Sequence, residues 1–516
     1  MAFGIRLSHG SAALGAVLLA VSAVVPLTAT PARAASPICL SGTLQYDYQS
    51  AEAGPAKPTQ TKPARSADAQ LWGAEKVTDT AHQLTADYQL TSAADGSFNL
   101  CYTPAATTSM SSLWVRFRTE SNQYWKVADT TGTPYTLDSA TQNNIAASTS
   151  LGTVKPPAAT ARAWHAFDTV NLLYQHRNNP ATACWSSHEA NNACTELTVR
   201  WTANSADGTY YDLAGTVHLA AADPDSEHTV LHESGHFLMH RLYNGVFPAV
   251  SNCSPHYVNL VSSASCAWTE GFADSTAAYL LGDYRYVWPD GSSYPFTYTT
   301  GWNTGDQVQG NVDGSLLDLW NNVDGGWNGT VALLTSHAPS TFADYFKNDR
   351  PLGNLATTGS ALNYLAAHTV DYGPNPVGDN QYHAFTNGGG LALEHAGQCA
   401  NSTNVVADLD TYDSTHASEK WKLDPNADGT TRIYDSCPTP LTLTAPAAAS
   451  GQVTLQAFNS ASQYQKWQVT QNGSGTLTIT NPATGYVLDS AAVSTGAAVV
   501  VNAAGNANTQ DWATLA

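Results

Sequence analysis

The chain has 516 residues, 21 Lys+Arg against 41 Asp+Glu, and a charged fraction of only 12%. At about 100–200 residues per domain this length allows two to four domains with sizeable cores, and the acid excess excludes a nucleic-acid binder, which needs a basic footprint. Hydrophobic residues at 43% exclude a disordered chain. Of the acids 31 are Asp and only 10 are Glu, so each glutamate is scarce enough to weigh singly.

Residues 1–34 read as a secretory signal peptide. Arg6 opens it, an apolar run follows from Ser11 to Leu27, and Ala32-Arg33-Ala34 supplies a small-x-small cleavage site, which places the mature start at Ala35. No later stretch approaches 18 uninterrupted apolar residues, so a secreted, extracellular chain with no membrane partner is expected. All eight Cys follow the cleavage point without a C-x-x-C pair, an exported disulfide pattern. Nearest-neighbour pairing joins Cys39 to Cys101, Cys184 to Cys194, Cys253 to Cys266 and Cys399 to Cys437.

Residues 35–140 read as an all-β sandwich. Runs rich in Val, Tyr, Thr and Phe alternate with turn clusters: Leu44–Tyr48, Ala69–Trp72, Tyr88–Thr91, Ser97–Tyr102, Leu113–Thr119 and Tyr124–Val127. The turn Ala94-Asp95-Gly96-Ser97 before Phe98 resembles small transthyretin-like or carboxypeptidase-regulatory domains. Residues 141–160, with Lys155-Pro156-Pro157-Ala158-Ala159, read as a linker. From 161 to 387 helical spacing dominates, as in Trp164, Phe167, Val170, Asn171 and Tyr174, then Ser315–Asn321 and Thr341–Phe346. Thr216–Ala220 alternates like a strand.

Residues 388–516 contain an internal repeat. Glu419-Lys420-Trp421, Gln465-Lys466-Trp467 and Gln510-Asp511-Trp512 recur about every 45 residues. Three such units resemble the β-trefoil of ricin-type lectins. In that family an Asp and a stacking aromatic hold sugar. Aligned to that family, the Asp position holds Asn401, Thr444 and Asp489, and the aromatic position holds Asp410, Gln456 and Val501. Only Asp489 keeps the family's residue, so the resemblance implies a sugar contact at Asp489 and a glycan as the trefoil's partner.

The strongest signal is His232-Glu233-Ser234-Gly235-His236. On a helix, residues i and i+4 lie about 40° apart around the axis, so both imidazoles can face one ion. Asp223-Pro224-Asp225-Ser226 is a helix-start signal, and Val230, Leu231, Phe237, Leu238 and Leu242 make the segment amphipathic. Gly235 reads as a point of close backbone approach, to the preceding strand. Catalytic zinc needs a third protein ligand and an open position. Met239 and Leu242 occupy the places where a Gly-x-x-His extension would continue, which excludes that class. Glu270 follows in Ala267-Trp268-Thr269-Glu270-Gly271-Phe272-Ala273-Asp274, with Asp274 one turn further and Gly282 as a C-terminal stop. His240 and His256 are the competing third ligands.

His-Glu-x-x-His followed by Glu-x-x-x-Asp resembles the gluzincin branch of zinc metallopeptidases, and Trp-Thr-Glu-Gly-Phe-Ala-Asp is similar to secreted bacterial members. The resemblance implies a central α+β zincin-like domain in which His232, His236 and Glu270 bind Zn2+. It further implies that Glu233 is the general base for a zinc-bound water and that Asp274 orients a ligating imidazole. Tyr364, His368, Tyr382 and His383 are the oxyanion-stabilising candidates. The expected protein is a secreted zinc endopeptidase acting on protein or peptide substrates. The alternative is a carbohydrate- or surface-binding adhesin with an inactive zincin domain. No Gly-x-Met-Glu-Asn amine-binding motif supports an aminopeptidase.

Overall fold

A computed structural model describes residues 36–85, 89–190, 193–357, 360–372, 376–378, 380–399, 405–471, 476–505 and 507–515. The expected signal peptide, residues 1–34, and the positions Tyr88 and Asn401 lie outside the described residues. The N-terminal region is all-β, the middle is mixed and the C-terminal region is β-rich.

The first strand, Ile38–Gln49, buries Ile38, Leu40, Leu44, Tyr46 and Tyr48 with the period of two that a half-buried strand requires. It pairs antiparallel with Ser97–Tyr102 and Thr59–Pro63, and parallel with Thr149–Val154. A second sheet is built on Asp68–Ala74 and Met110–Arg118, in register at Leu71 and Val115. Phe98 of the first sheet meets Phe117 of the second edge-on at 5.0 Å, within their common core.

Two sequence expectations need correction here. The segment read as a linker, 141–160, carries the strands Gln142–Ile145 and Thr149–Val154, which complete the two sheets. Only the short Pro156-Pro157 stretch connects onward. Trp125–Ala128, read as part of the sandwich, instead pairs in parallel with Leu197–Arg200, with Val127 opposite Val199. It thereby joins a five-stranded sheet that also holds Thr216–His218 and the edge strand Tyr210–Tyr211. Period-two patterning locates a strand; it does not choose the sheet, because pairing is non-local. The consequence is a single hydrophobic core running from Ile38 to Val370. Among the described residues there are therefore two cores, not three.

The helices of ten residues or more among the described residues of the middle region are α1 (Ala161–His176), α2 (Glu227–Leu242), α3 (Ala264–Leu281), α4 (Gln309–Asn322) and α5 (Asn328–His337). The spacing of Trp164, Phe167, Val170, Asn171 and Tyr174 on α1 is matched by burial of all five, with Phe167 stacked on Trp125 at 5.5 Å. Ser226 caps α2, its hydroxyl accepting the Thr229 N–H at 3.0 Å. Glu52, from the turn after the first strand, accepts the Glu227 and His228 N–H groups. An anion there offsets the positive end of the helix dipole. Lys57 and Arg162 pair with Asp225, and Lys62 with Glu227 at 2.6 Å. The N-terminal sheets thus hold the start of α2 by charge as well as by packing.

Gly235 is a close-approach position, but its neighbour is not the strand. A Cβ there would lie 3.2 Å from the Ala273 Cα, so the glycine lets α2 cross tightly over α3. Gly271 plays the same part against α4, where a Cβ would meet Val312 and the Gln309 carbonyl. Gly282 ends α3 in the left-handed conformation at φ 64°. All four disulfides join the nearest-neighbour pairs. No helix among the described residues is long and apolar enough to cross a membrane.

In the last region Trp421, Trp467 and Trp512 are fully buried, and their indole N–H groups donate to the carbonyls of Leu393, Leu443 and Leu488. These bonds span 28, 24 and 24 residues, so the first repeat is longer by a loop insertion. The alignment of the first repeat is corrected accordingly: Glu394, not Asn401, is equivalent to Asp489. Strand pairing likewise makes Asn502, rather than Val501, equivalent to Asp410. The region also begins before residue 388, since Ala384–Thr386 pairs with Ala513–Leu515.

The anchor at α2 has a pH signature. Burial alone would raise the Glu227 carboxyl, but the His165 and Lys62 side chains overcome it and hold it at about 2. An unfolded glutamate titrates near about 4.3, so this stabilisation is complete above that pH and is lost as pH falls toward 2. Glu227→Gln should lower the urea midpoint at pH 7 and make its decline between those two values shallower. An unchanged acid limb would contradict the assignment.

Candidate metal centre

The i, i+4 spacing on α2 brings the Nε2 atoms of His232 and His236 to 3.2 Å of each other. From α3, Glu270 places Oε2 3.3 Å from the first and 3.4 Å from the second. Four donors around zinc at about 2.0–2.1 Å sit about 3.3–3.4 Å apart on the edges of a tetrahedron. Atoms of these groups at those separations need either a proton or a metal ion between them. Two imidazoles and one carboxylate, with a side left open to a cleft, are a donor set that zinc takes. These three residues form a group able to hold a metal ion.

Asp274, fully buried one turn beyond Glu270, accepts from His232 Nδ1 at 2.6 Å. A carboxylate only accepts, so Nδ1 carries a proton, and it is Nε2 that must give up its own proton to offer a lone pair to a metal. Burial would depress the His232 imidazole, but the Asp274 charge outweighs it and holds the ring well above its ordinary value. Glu270 is pushed up by burial and brought well below the carboxylate range by the adjoining His236 and His232. Glu233 is buried beside both histidines. Desolvation raises its carboxyl, with His232 and His236 pulling the other way, and a raised carboxyl suits a group that must take and release a proton.

Two cavities open onto this centre. One of about 640 Å³ is lined by His232, Glu233, His256, Tyr257, Tyr286 and Trp288 among others. The other, of about 270 Å³, runs past Tyr210, Phe247, His236 and Glu270. Glu233 and His256 border both.

The competing histidines separate. His240 bonds through Nδ1 to the Tyr211 hydroxyl at 2.8 Å and faces away from the triad. His256 is nearer than its loop sequence promised: its Nε2 is 3.7 Å from Glu270 Oε2. None of the four oxyanion candidates lines either cavity. Tyr364 donates to the Asp428 carbonyl, His368 pairs with Asp318, Tyr382 lies against Tyr434, and His383 pairs its backbone with Trp421. Tyr286 stands there instead, edge-on to His232 at 5.8 Å and raised by burial to about 12. Gln309, which donates to Asp274 at 2.5 Å, was also missed. Both reach the site through tertiary packing that no spacing announces. Asp313, one turn along α4, is buried with neither oxygen bonded, and burial with Asp274 nearby raises its carboxyl well above the usual range.

Asp489 is remote in sequence from the metal centre and internally engaged. It accepts from Asn502 Nδ2 and Gln510 Nε2, each at 3.0 Å. In the first repeat the equivalents of these three residues are Glu394, Asp410 and Glu419.

Crossing helices thus bring two histidines and a carboxylate into a group able to hold a metal ion beside an open cleft. The comparisons with known proteins give the class, a peptidase. Residues 39–163 match the Mycolysin middle domain, 178–369 the Mycolysin C-terminal domain, and 378–512 the ricin-type beta-trefoil lectin domain. The chain is thus mycolysin-like over its first core and carries a ricin-type trefoil. No curated protein matches it. Many solved structures resemble about a quarter of the chain, among them the following three. The designed 3-fold symmetric protein ThreeFoil is 20% identical, with 26% of this chain and 98% of that one covered at a TM-score of 0.24. The earthworm R-type lectin C-half in complex with GalNAc is 17% identical, covering 26% and 97% at 0.21. The exo-beta-1,3-galactanase from Clostridium thermocellum is 18% identical, covering 27% and 31% at 0.25.

Loss of an imidazole's outer hydrogen-bond partner typically costs about 10–100-fold in metal affinity. Asp274→Asn should weaken zinc binding by that order in competition with a chromogenic chelator. Undiminished affinity would remove Asp274 from the site.

Proposed function

We propose that the chain is a secreted zinc-dependent endopeptidase in which His232, His236 and Glu270 hold the metal and Glu233 is the general base. The observation that carries the reading is the convergence of those three donor groups with Glu233 beside them, under a cleft open on two sides. The mycolysin matches support it. Zinc bound there supplies a Lewis acid that polarises the scissile carbonyl and acidifies water. Glu233 takes the proton of the attacking water and returns it to the departing amine. Asp274 keeps His232 in one tautomer, and the aromatic wall of Tyr257, Tyr286 and Trp288 excludes water and receives apolar side chains. The four disulfides fit an oxidising, extracellular setting.

Glu233→Gln should retain stoichiometric zinc and lose casein hydrolysis by about 10²–10⁴-fold, the usual contribution of a general base. Wild-type hydrolysis should vanish with phenanthroline and return with zinc. A phenanthroline-resistant activity, or an active Glu233→Gln variant, would overturn the reading. N-terminally blocked peptides should be cleaved as well as free ones, which separates an endopeptidase from an aminopeptidase.

The adhesin reading keeps one observation in its favour: the third trefoil repeat retains Asp489 with Asn502 and Gln510 bonded to it. A glycan held there would tether the peptidase to a surface. Glycan-array binding by the full chain should disappear in Asp489→Ala, while zinc content and casein hydrolysis stay unchanged. Binding that survives the substitution would place the contact elsewhere.

A further inference from the structure

The hydrogen bond between His232 and Asp274 is the first link of a chain that returns to the cleft. Asp274 Oδ1 takes the His232 Nδ1 proton at 2.6 Å, and Asp274 Oδ2 accepts from Gln309 Nε2 at 2.5 Å. With its amide nitrogen committed to the carboxylate, Gln309 must turn its carbonyl oxygen the other way. That oxygen, Oε1, meets His256 Nδ1 at 2.8 Å. A carbonyl only accepts, so Nδ1 of His256 carries a proton. In the neutral ring the remaining nitrogen, Nε2, is then an acceptor. It stands 3.7 Å from Glu270 Oε2, on a residue that borders both cavities.

The loop that carries His256 is built to hold this geometry. Cys253 is bonded to Cys266 in the first turn of α3. Gly310 donates its N–H to the Val258 carbonyl at 2.8 Å, and a Cβ on Gly310 would strike that same carbonyl. Asn303 donates to Asn259, and Ser262 to the Gln307 carbonyl. The loop is thereby tied to the start of α4, the turn that presents Gln309. Three helices and one loop thus fix the orientation of four side chains, and the polarity of each link dictates the next.

We propose that His256 is a catalytic residue that accepts the N–H of the scissile peptide bond through Nε2, and that Gln309 is the positioning residue that fixes its tautomer. Such a bond turns the lone pair of the departing nitrogen away from His256 and toward the group that must protonate it. The inference rests on the peptidase reading above and adds to it a requirement for a substrate N–H.

The test has two arms. The first uses the metal-free full chain and reads no activity. Long-range 1H–15N spectra of the histidine rings, with His256 assigned by the signals lost in His256→Ala, should show Nδ1 protonated and Nε2 bare. In Gln309→Ala the same ring should become a mixture of tautomers. A wild-type His256 protonated at Nε2 alone would overturn the proposal. The second arm compares a peptide with its depsipeptide analogue, in which an ester oxygen replaces the scissile N–H. His256→Ala should lower kcat/KM on the peptide by at least about tenfold more than on the ester, the worth of one hydrogen bond of about 1.4 kcal/mol. The loss should fall on kcat more than on KM, and Gln309→Ala should follow in the same direction. Equal losses on both substrates would assign His256 to the carbonyl oxygen instead and overturn the proposal. A wild-type chain that hydrolyses neither substrate would sink the peptidase reading itself, whereas an active wild type with an unaffected His256→Ala would sink this inference alone.

Discussion

The tight crossing of α2 over α3 is the constraint on which the rest of the metal centre depends. It exists because Gly235 offers no Cβ where the Ala273 backbone passes. At that separation one face of α3 reaches α2 twice: Glu270 meets both imidazoles, and Asp274 takes the outer N–H of His232. A Cβ at Gly235 would sit 3.2 Å from the Ala273 Cα, tighter than ordinary contact, so α3 would have to give by a few tenths of an ångström. The glycine costs about 1 kcal/mol of helix propensity relative to Ala, and the crossing is what it gives in return.

Charge in the interior is organised around the same helix. The start of α2 is met by Glu52, and its acids are met by Lys57, Lys62 and Arg162. Buried charges are expensive to desolvate, so each of these acids is met by a cation. Their placement makes the N-terminal sheets part of the site's foundation: they fix where α2 begins, and so the direction in which His232 and His236 point. A common hydrophobic core from Ile38 to Val370 is the apolar counterpart of that arrangement. The trefoil, by contrast, has a core of its own.

What was legible in the sequence was local. The four-residue spacings from His232 to His236 and from Glu270 to Asp274 are helical periodicities, and a helix delivers them wherever it sits. The three Trp residues likewise mark one structural position repeated. What escaped depends on contacts between distant segments. Trp125–Ala128 has the pattern of any strand, and only folding decides that it pairs with Leu197–Arg200. Residues 142–154 are too polar to announce themselves as strands, because they lie at exposed sheet positions. Gln309 and Tyr286 enter through α4 and a short strand whose docking no motif encodes. Glu394 escaped alignment because the first repeat is longer than its counterparts between the leucine carbonyl and its Trp.

X-ray absorption at the zinc edge of the zinc-loaded full chain tests the central claim most directly. The account requires two imidazole nitrogens and oxygen donors at about 2.0–2.2 Å, with no sulfur, and one imidazole lost in His236→Ala. Sulfur scattering, or a first coordination sphere that His236→Ala leaves intact, would contradict it.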